Sequence, residues 1–250
     1  ELREAIGDVY DTLTDAELDA LRGGTITTDE ESTDYSQYLR FGETGNSDNL
    51  SPFAVNYGEN EEDELGSWLV VPGGSSADPF FEWEIEFSEG LESEIDGNEL
   101  DDLEDEVFNI FGTDFTFVDS DVDTSSESLT LEFMAGDVSD TLREGETKTY
   151  TIDGVDYEVT AVFISDPSSG GTQEAKFAVN GEITDSLTDG DTDTLNNGLQ
   201  IGVRDLLVNS REGVVEFFLG ADKVEFSDDD YADGAFDTSG AVEIGSESIS

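Results

Sequence analysis

Three runs of this sequence place carboxylates at the close, even spacing that can hold a hard cation. In DSDVDTSSE (119–127), Asp119, Asp121 and Asp123 stand at i, i+2 and i+4, the spacing that opens an EF-hand loop. The sixth position is Thr124 where that loop needs Gly, and the twelfth is Thr130 where it needs Glu. The run is therefore no EF-hand. Calcium and magnesium need only clustered oxygens, so a looser Ca2+ or Mg2+ site stays open. Asp189, Asp191 and Asp193 in DGDTD repeat the spacing, and SDDDYAD (227–233) adds Asp228, Asp229, Asp230 and Asp233. With 64 acidic residues in the chain, such clusters also arise as ordinary solvated surface. The candidate metal ligands are Asp119, Asp121, Asp123, Asp189, Asp191 and Asp193.

Other chemistry is scarce. There is no Cys and no His, which removes Cys/His zinc sites, thiol catalysis and His-based triads. Carboxylate pairs could serve a glycosidase, but here none stands out from the background. No nucleophile elbow, phosphate loop or HExxH is present, and we expect no enzyme. Asn49-Leu50-Ser51 is the one N-x-S/T sequon, which makes Asn49 a candidate glycosylation site.

The charge bounds the setting. Against 64 acidic residues stand 9 basic ones, a net of −55 over 250 residues. A folded chain of 27.1 kDa exposes roughly 11,000 Å², which puts neighbouring carboxylates roughly 13 Å apart. The Debye length is ~10 Å at 0.1 M salt and ~3 Å at 1 M. Self-repulsion thus opposes the compact state at ordinary salinity and fades in brine, and we expect a halophilic protein. A calcium-loaded acidic protein at ordinary salinity is the alternative. Nucleic acid and anionic lipid, which need clustered Lys and Arg, are poor partners. Cations, solvent and other copies of the chain are better ones. The first residue is Glu1, from which we expect a removed leader and export. No run approaches 18 apolar residues, so no direct membrane span is expected.

The elements that must position these residues are mostly strands. TLTDAELDALRGG (12–24) sets Leu13, Leu18 and Leu21 at helical period, with Thr14 and Glu17 spaced as a capping box; a helix is expected over 1–22. Beyond it the period becomes two. FFEWEIEF sends Phe81, Trp83, Ile85 and Phe87 to one face and Glu82, Glu84 and Glu86 to the other. DYSQYLRF (34–41) reads as another strand. The acidic segment 91–107 reads as a short helix or a bridge. NIFGTDFTFV, TKTYTI-DG-VDYEVT, KFAV-NG-EI, TDTLN-NG-LQIGV and FFL-GAD-KVEF read as hairpins. SDTLREGET (139–147) and TDSLTDGDT (184–192) repeat an apolar anchor, an acidic-Gly-acidic turn and a strand, 45 positions apart. This repeat reads as a sheet module. The expected fold is mainly β: antiparallel β-sandwich domains, Ig-like or barrel-like, with a short N-terminal helix. The boundaries are 1–24 helix, 25–105 first β-rich domain, 106–226 second sandwich with the repeat, and 227–250 an acidic tail or a strand donated to a neighbour.

The strings VSDTLREGETKTYTIDGVDYEVT, KFAVNGEITDSLTDGDTDTL, GLQIGVRDLL and VEFFLGADKVEF resemble the surface-layer (S-layer) proteins of archaea. So do GGTITTDEESTDYSQYLRFG and VFNIFGTDFTFVD. The resemblance runs from about Leu13 to Phe226. It implies an exported structural protein of β-rich domains that tiles the cell surface as a self-assembling lattice, often with divalent cations. No stalk or anchor is visible in the sequence, which leaves room for a subunit of an extracellular filament or pilus. A surface adhesin or ligand-binding module is a further alternative, and aromatics grouped around Trp68 and Trp83 would favour it.

Overall fold

The computed structural model describes residues 4–28, 31–44, 50–59, 65–70, 79, 81–165, 172–208, 213–228, 242–244 and 247–249. The chain divides into two compact units. The first holds 1–27, 31–91 and 109–113, and the second holds 28–30, 92–108 and 114–250. The chain thus passes into the second unit after Leu91, and 109–113 returns briefly to the first. The reason is local. In 92–108 the amide of Leu100 donates to Ser120 Oγ at 2.8 Å, the Asn98 carbonyl accepts from the Val122 amide at 2.7 Å, and Leu103 is buried. These contacts tie the segment to the second unit.

In the first unit, an α-helix spans only Ile6–Val9, and a 3-10 turn only Asp19–Leu21. The longer helix expected over 1–22 does not form. Its capping box does: Thr14 Oγ1 donates to Glu17 Oε2 at 3.0 Å and accepts from the Ala16 amide at 3.1 Å. The turn then stops, because Leu21 alone is buried while Leu18 and Tyr10 stay exposed. Without an apolar stripe to dock, so short a helix cannot repay its nucleation. Strand β1 (Thr12–Leu13) pairs instead with Arg40 and Leu39.

The other strands are β2 (Gly24–Thr27), β3 (Ser32–Phe41), β4 (Ala54–Glu59), β5 (Leu65–Val70) and β6 (Phe81–Phe87). Strand β3 is central, with β6 along one edge and β1 and β2 on the other. The expected alternation of β6 is half realised, since Trp83, Ile85 and Phe87 are half-buried but Phe81 is exposed. This unit is organised around a polar residue, Gln37. Its buried amide donates to the carbonyls of Arg22 at 2.6 Å and Asn109 at 2.8 Å. Its oxygen accepts from Trp83 Nε1 at 3.2 Å. Trp83 in turn packs on Phe111, ring centroids 4.8 Å apart. Strands β4 and β5 form a separate two-stranded sheet.

The second unit continues with β7 (Ile95–Asp96), β8 (Glu99–Leu100), β9 (Val107–Ile110), β10 (Thr113–Asp123), β11 (Ser128–Arg143), β12 (Thr147–Ile152) and β13 (Val155–Ile164). It ends with β14 (Ala175–Val179), β15 (Glu182–Ile183), β16 (Thr192–Thr194), β17 (Gln200–Val208), β18 (Gly213–Asp228), β19 (Val242–Ile244) and β20 (Glu247–Ile249). One sheet runs β16-β17-β18-β11-β10-β9, and another runs β12-β13-β14-β15. A shared core joins Leu142, Phe217 and Val203 of the first sheet to Val159 and Phe177 of the second. This is sandwich packing of antiparallel sheets; no sheet closes into a barrel among the described residues.

The Asp153-Gly154 and Asn180-Gly181 turns have both φ values positive, as two-residue primed turns require. FFLGADKVEF is not a hairpin. It lies within the continuous strand β18, where Gly220 alone takes a positive φ (+70°) against Asp137. The register with β11 runs unbroken from Gly136 opposite Ala221 to Val138 opposite Leu219, so this one left-handed residue does not reverse the strand. The C-terminal strand β19 pairs with Val224–Phe226 of its own chain's β18. It borders the half of β18 beyond the reach of β17, whose pairing covers 213–219.

Candidate functional site

The two copies of the repeat fold alike. In the first, the Arg143 amide donates to the Glu146 carboxylate at 3.0 Å, the Gly145 amide to the Ala161 carbonyl at 2.7 Å, and the Ala161 amide to the Glu146 carbonyl at 3.1 Å. In the second, Thr188 donates to the Asp191 carboxylate at 2.8 Å, Gly190 to Val203 at 3.0 Å, and Val203 back to Asp191 at 2.9 Å. Both glycines have positive φ, +78° and +75°. Leu142 and Leu187 anchor the copies in one core. The acidic residue after each Gly therefore caps its own turn.

The copies differ in what lies beneath them. A side chain at Gly145 would meet nothing within 4 Å among the described residues. A Cβ at Gly190 would lie 2.8 Å from Glu132 Oε2 and 3.1 Å from Asp119 Cβ. Asp119 of β10 and Glu132 of β11 are direct register partners, and Lys223 of β18 lies 2.7 Å from Glu132. The DGD turn thus sits over a carboxylate ladder that holds one ammonium group. Glu104 and Asp205 extend the crowd, since both act electrostatically on Asp189.

The electrostatics reflect that crowding. Burial pushes Asp189 up to about 7, and the charges of Asp205, Asp119 and Glu104 push the same way. Asp189 keeps an exposed side, so water and salt temper this shift. Burial likewise raises Asp119, with Lys223 pulling it back and Asp121 and Asp191 adding to the rise. Glu132 is raised by burial in spite of Lys223. Burial also raises Glu104, Glu99 and Asp205. The group is a store of unfavourable negative charge that protons or cations can relieve.

The structure brings Asp119 together with Asp189 and Asp191 from the two sequence runs, and leaves the others out. Asp123 caps the β10–β11 turn, held below the usual carboxylate range by hydrogen bonds from Ser126 and Ser125. Asp121 is exposed and accepts from Asn98 Nδ2 at 3.2 Å. Asp193 accepts from the Asp185 amide at 3.0 Å. Among the described residues no three carboxylates converge as a metal cage. Asn49 lies outside the described residues. Glu132, Glu104, Asp205 and Lys223 were not singled out from sequence. The signal for Lys223 was its rarity, as one of three lysines in the chain.

The chain matches no family model, no curated protein and no solved structure. Two further features were tested by the geometry. A shallow cavity of about 330 Å³ is lined by Tyr157, Asn180, Glu182 and Asn196, but Glu182 already accepts from the Asn196 amide and side chain at 3.0 and 2.6 Å. Trp83, bonded to Gln37 and packed on Phe111, is half-buried and committed to the interior of its unit. No helix of the described residues is long and apolar enough to cross a membrane.

Proposed function

We propose that this chain is an exported, halophilic structural protein that self-assembles at the cell surface into an S-layer lattice in high salt, without catalytic activity. The carrying observation is the charge of −55 on a scaffold of antiparallel sheets whose core is dry. Carboxylates keep the outer faces hydrated, and strong electrolyte cancels the repulsion between like-charged copies. The cluster around Asp119 and Asp189 is where that cancellation matters most, and calcium or magnesium would serve there better than monovalent ions. The sequence strings that resemble archaeal S-layer proteins support the same reading.

A subunit of an extracellular filament is the second reading. The observation favouring it is the position of β19, a C-terminal strand laid on the edge of β18; a neighbour's terminal strand could occupy the same edge. Electron microscopy of the full chain in molar salt distinguishes the two, a two-dimensional array from a fibre. A protein that stays monomeric there overturns both.

A further inference from the structure

Strand β18 has two halves that differ in company. Strand β11 pairs with it from Val214 to Asp228. On its other side β17 covers only 213–219. Beyond Leu219 the one strand on that side, among the described residues, is β19, which takes Val224, Glu225 and Phe226. This stretch is fixed by its own unit. Val224 is buried, the Phe226 ring meets Phe133 edge-on at 5.7 Å, and Lys223 is tied to Glu132. An edge so held presents its backbone donors and acceptors ready-made, which is what an added strand needs.

The strand that occupies this edge has little support of its own. β19 and β20 are an antiparallel pair of three residues each, and so small a pair is marginal in water until a sheet receives it. The thirteen residues 229–241 join it to β18, where a hairpin connection needs only about 2–5. A segment of that length can span about 45 Å, against the ~5 Å between neighbouring strands. It does not confine 242–244 to the β18 of the same chain. The same residues of another copy bring the same backbone and the same charges to the edge, so neither register nor repulsion at the edge separates the two closures.

We propose that Val224–Phe226 is a strand-accepting edge that exchanges its occupant, taking residues 242–244 of a second copy in the register it holds with its own. Passed on head to tail, the exchange links each copy to the next. The inference rests on the filament reading and gives that reading an acceptor, a donor and their register.

The chain has no Cys, so the test is a pair of single substitutions, Glu225→Cys and Glu243→Cys. These positions are directly opposed, at a Cα spacing that suits a disulfide. The two full-length variants are mixed in molar KCl, oxidised with copper phenanthroline and run on non-reducing gels, with far-UV CD following the fold of each. Crosslinked dimer in the mixture should exceed that of either variant alone by at least ~10-fold, because pairing raises the local concentration of the two thiols. A mixture no richer in dimer than the single variants overturns the exchange. Should a variant lose its CD signal, the unsubstituted chain is titrated into a fluorophore-labelled peptide AVEIGSESIS (241–250). Anisotropy that rises with chain concentration upholds the exchange, and a flat trace overturns it. Electron microscopy of the wild type separates the failures. Arrays or fibres without the crosslink remove this contact and leave the functional reading standing. The crosslink in a chain that forms neither upholds the contact and overturns the functional reading.

Discussion

Lys223 reaches across the β11–β18 ladder to Glu132, 2.7 Å away, with both side chains less than a fifth exposed. It is the cation on which the Asp119–Glu132 register pair depends. Lys223→Met should leave two crowded carboxylates uncompensated and cost about 2–4 kcal/mol. Adding Glu132→Gln should recover much of that loss. Urea unfolding of the two variants at fixed molar salt checks the pair, and additive losses would show that they do not interact.

The raised carboxyls set a pH dependence of unusual sign. A carboxyl whose folded pKa exceeds its unfolded value holds its proton in the folded state while the unfolded chain has lost it. Stability then falls as pH rises through that window and levels above it. For Asp189 the window runs from about 4, the unfolded value, to about 7. Asp119, Glu132, Glu104, Glu99 and Asp205 shift in the same direction. The melting temperature should therefore drop between pH 5 and pH 7.5, and Asp189→Asn should flatten the drop and raise the value at pH 7.5. Thermal scans at both pH values measure this. A melting temperature that rises with pH would show that lowered carboxyls elsewhere dominate.

The matched turns predict unmatched substitutions. Gly145→Ala should cost about 1 kcal/mol, the strain of a side chain at positive φ. Gly190→Ala carries the same strain and also pushes a methyl toward Glu132 Oε2 and Asp119. It should cost about 1–3 kcal/mol more. Denaturant midpoints for the two variants give the difference directly.

Gln37 is the corresponding point in the first unit. Gln37→Leu removes the donor to the Arg22 and Asn109 carbonyls and the acceptor of Trp83 Nε1. The expected loss is about 2–4 kcal/mol, with a change in tryptophan emission as Trp83 loosens. An unchanged emission spectrum and midpoint would show that water replaces the amide without cost.

Salt removal gives the broadest test. Dialysis to ~0.1 M monovalent salt without divalent ions lengthens the Debye length to ~10 Å, so assemblies should dissociate and far-UV CD signal should then fall. Retained assembly and CD would show that repulsion does not govern this protein.

Much of the second unit was legible because its turns are local. Asp153-Gly154 and Asn180-Gly181 take positive φ at both residues, as a two-residue primed turn needs, whereas Asn197-Gly198 does so only at the Gly, in a longer connection between Thr194 and Gln200. The FFLGADKVEF run misled because a single Gly between apolar stretches can stand inside a strand as well as in a turn; the 16-residue partner β11, which holds β18 in unbroken register through Gly220, lies some 80 positions away. The residues 12–21 misled because a capping box fixes one turn and says nothing of whether later turns find a surface. The carboxylate cluster was half legible. Asp119 and Asp189 showed by spacing, but Glu132 and Lys223 join them only through strand register, which no short window reveals. Gln37 carried no signal, since a glutamine in an alternating strand reads as solvated.

The clasp at Gly145 has no described residue beneath its Gly and the clasp at Gly190 stands over acid, yet their hydrogen bonds agree to within 0.3 Å. The geometry of this corner is thus indifferent to what lies under it. The crowded carboxylates beneath Gly190 are a detachable trait here, carried by one twin of the pair. An engineer could strip it from the molecule, or install it a second time beneath Gly145, without redrawing the sandwich.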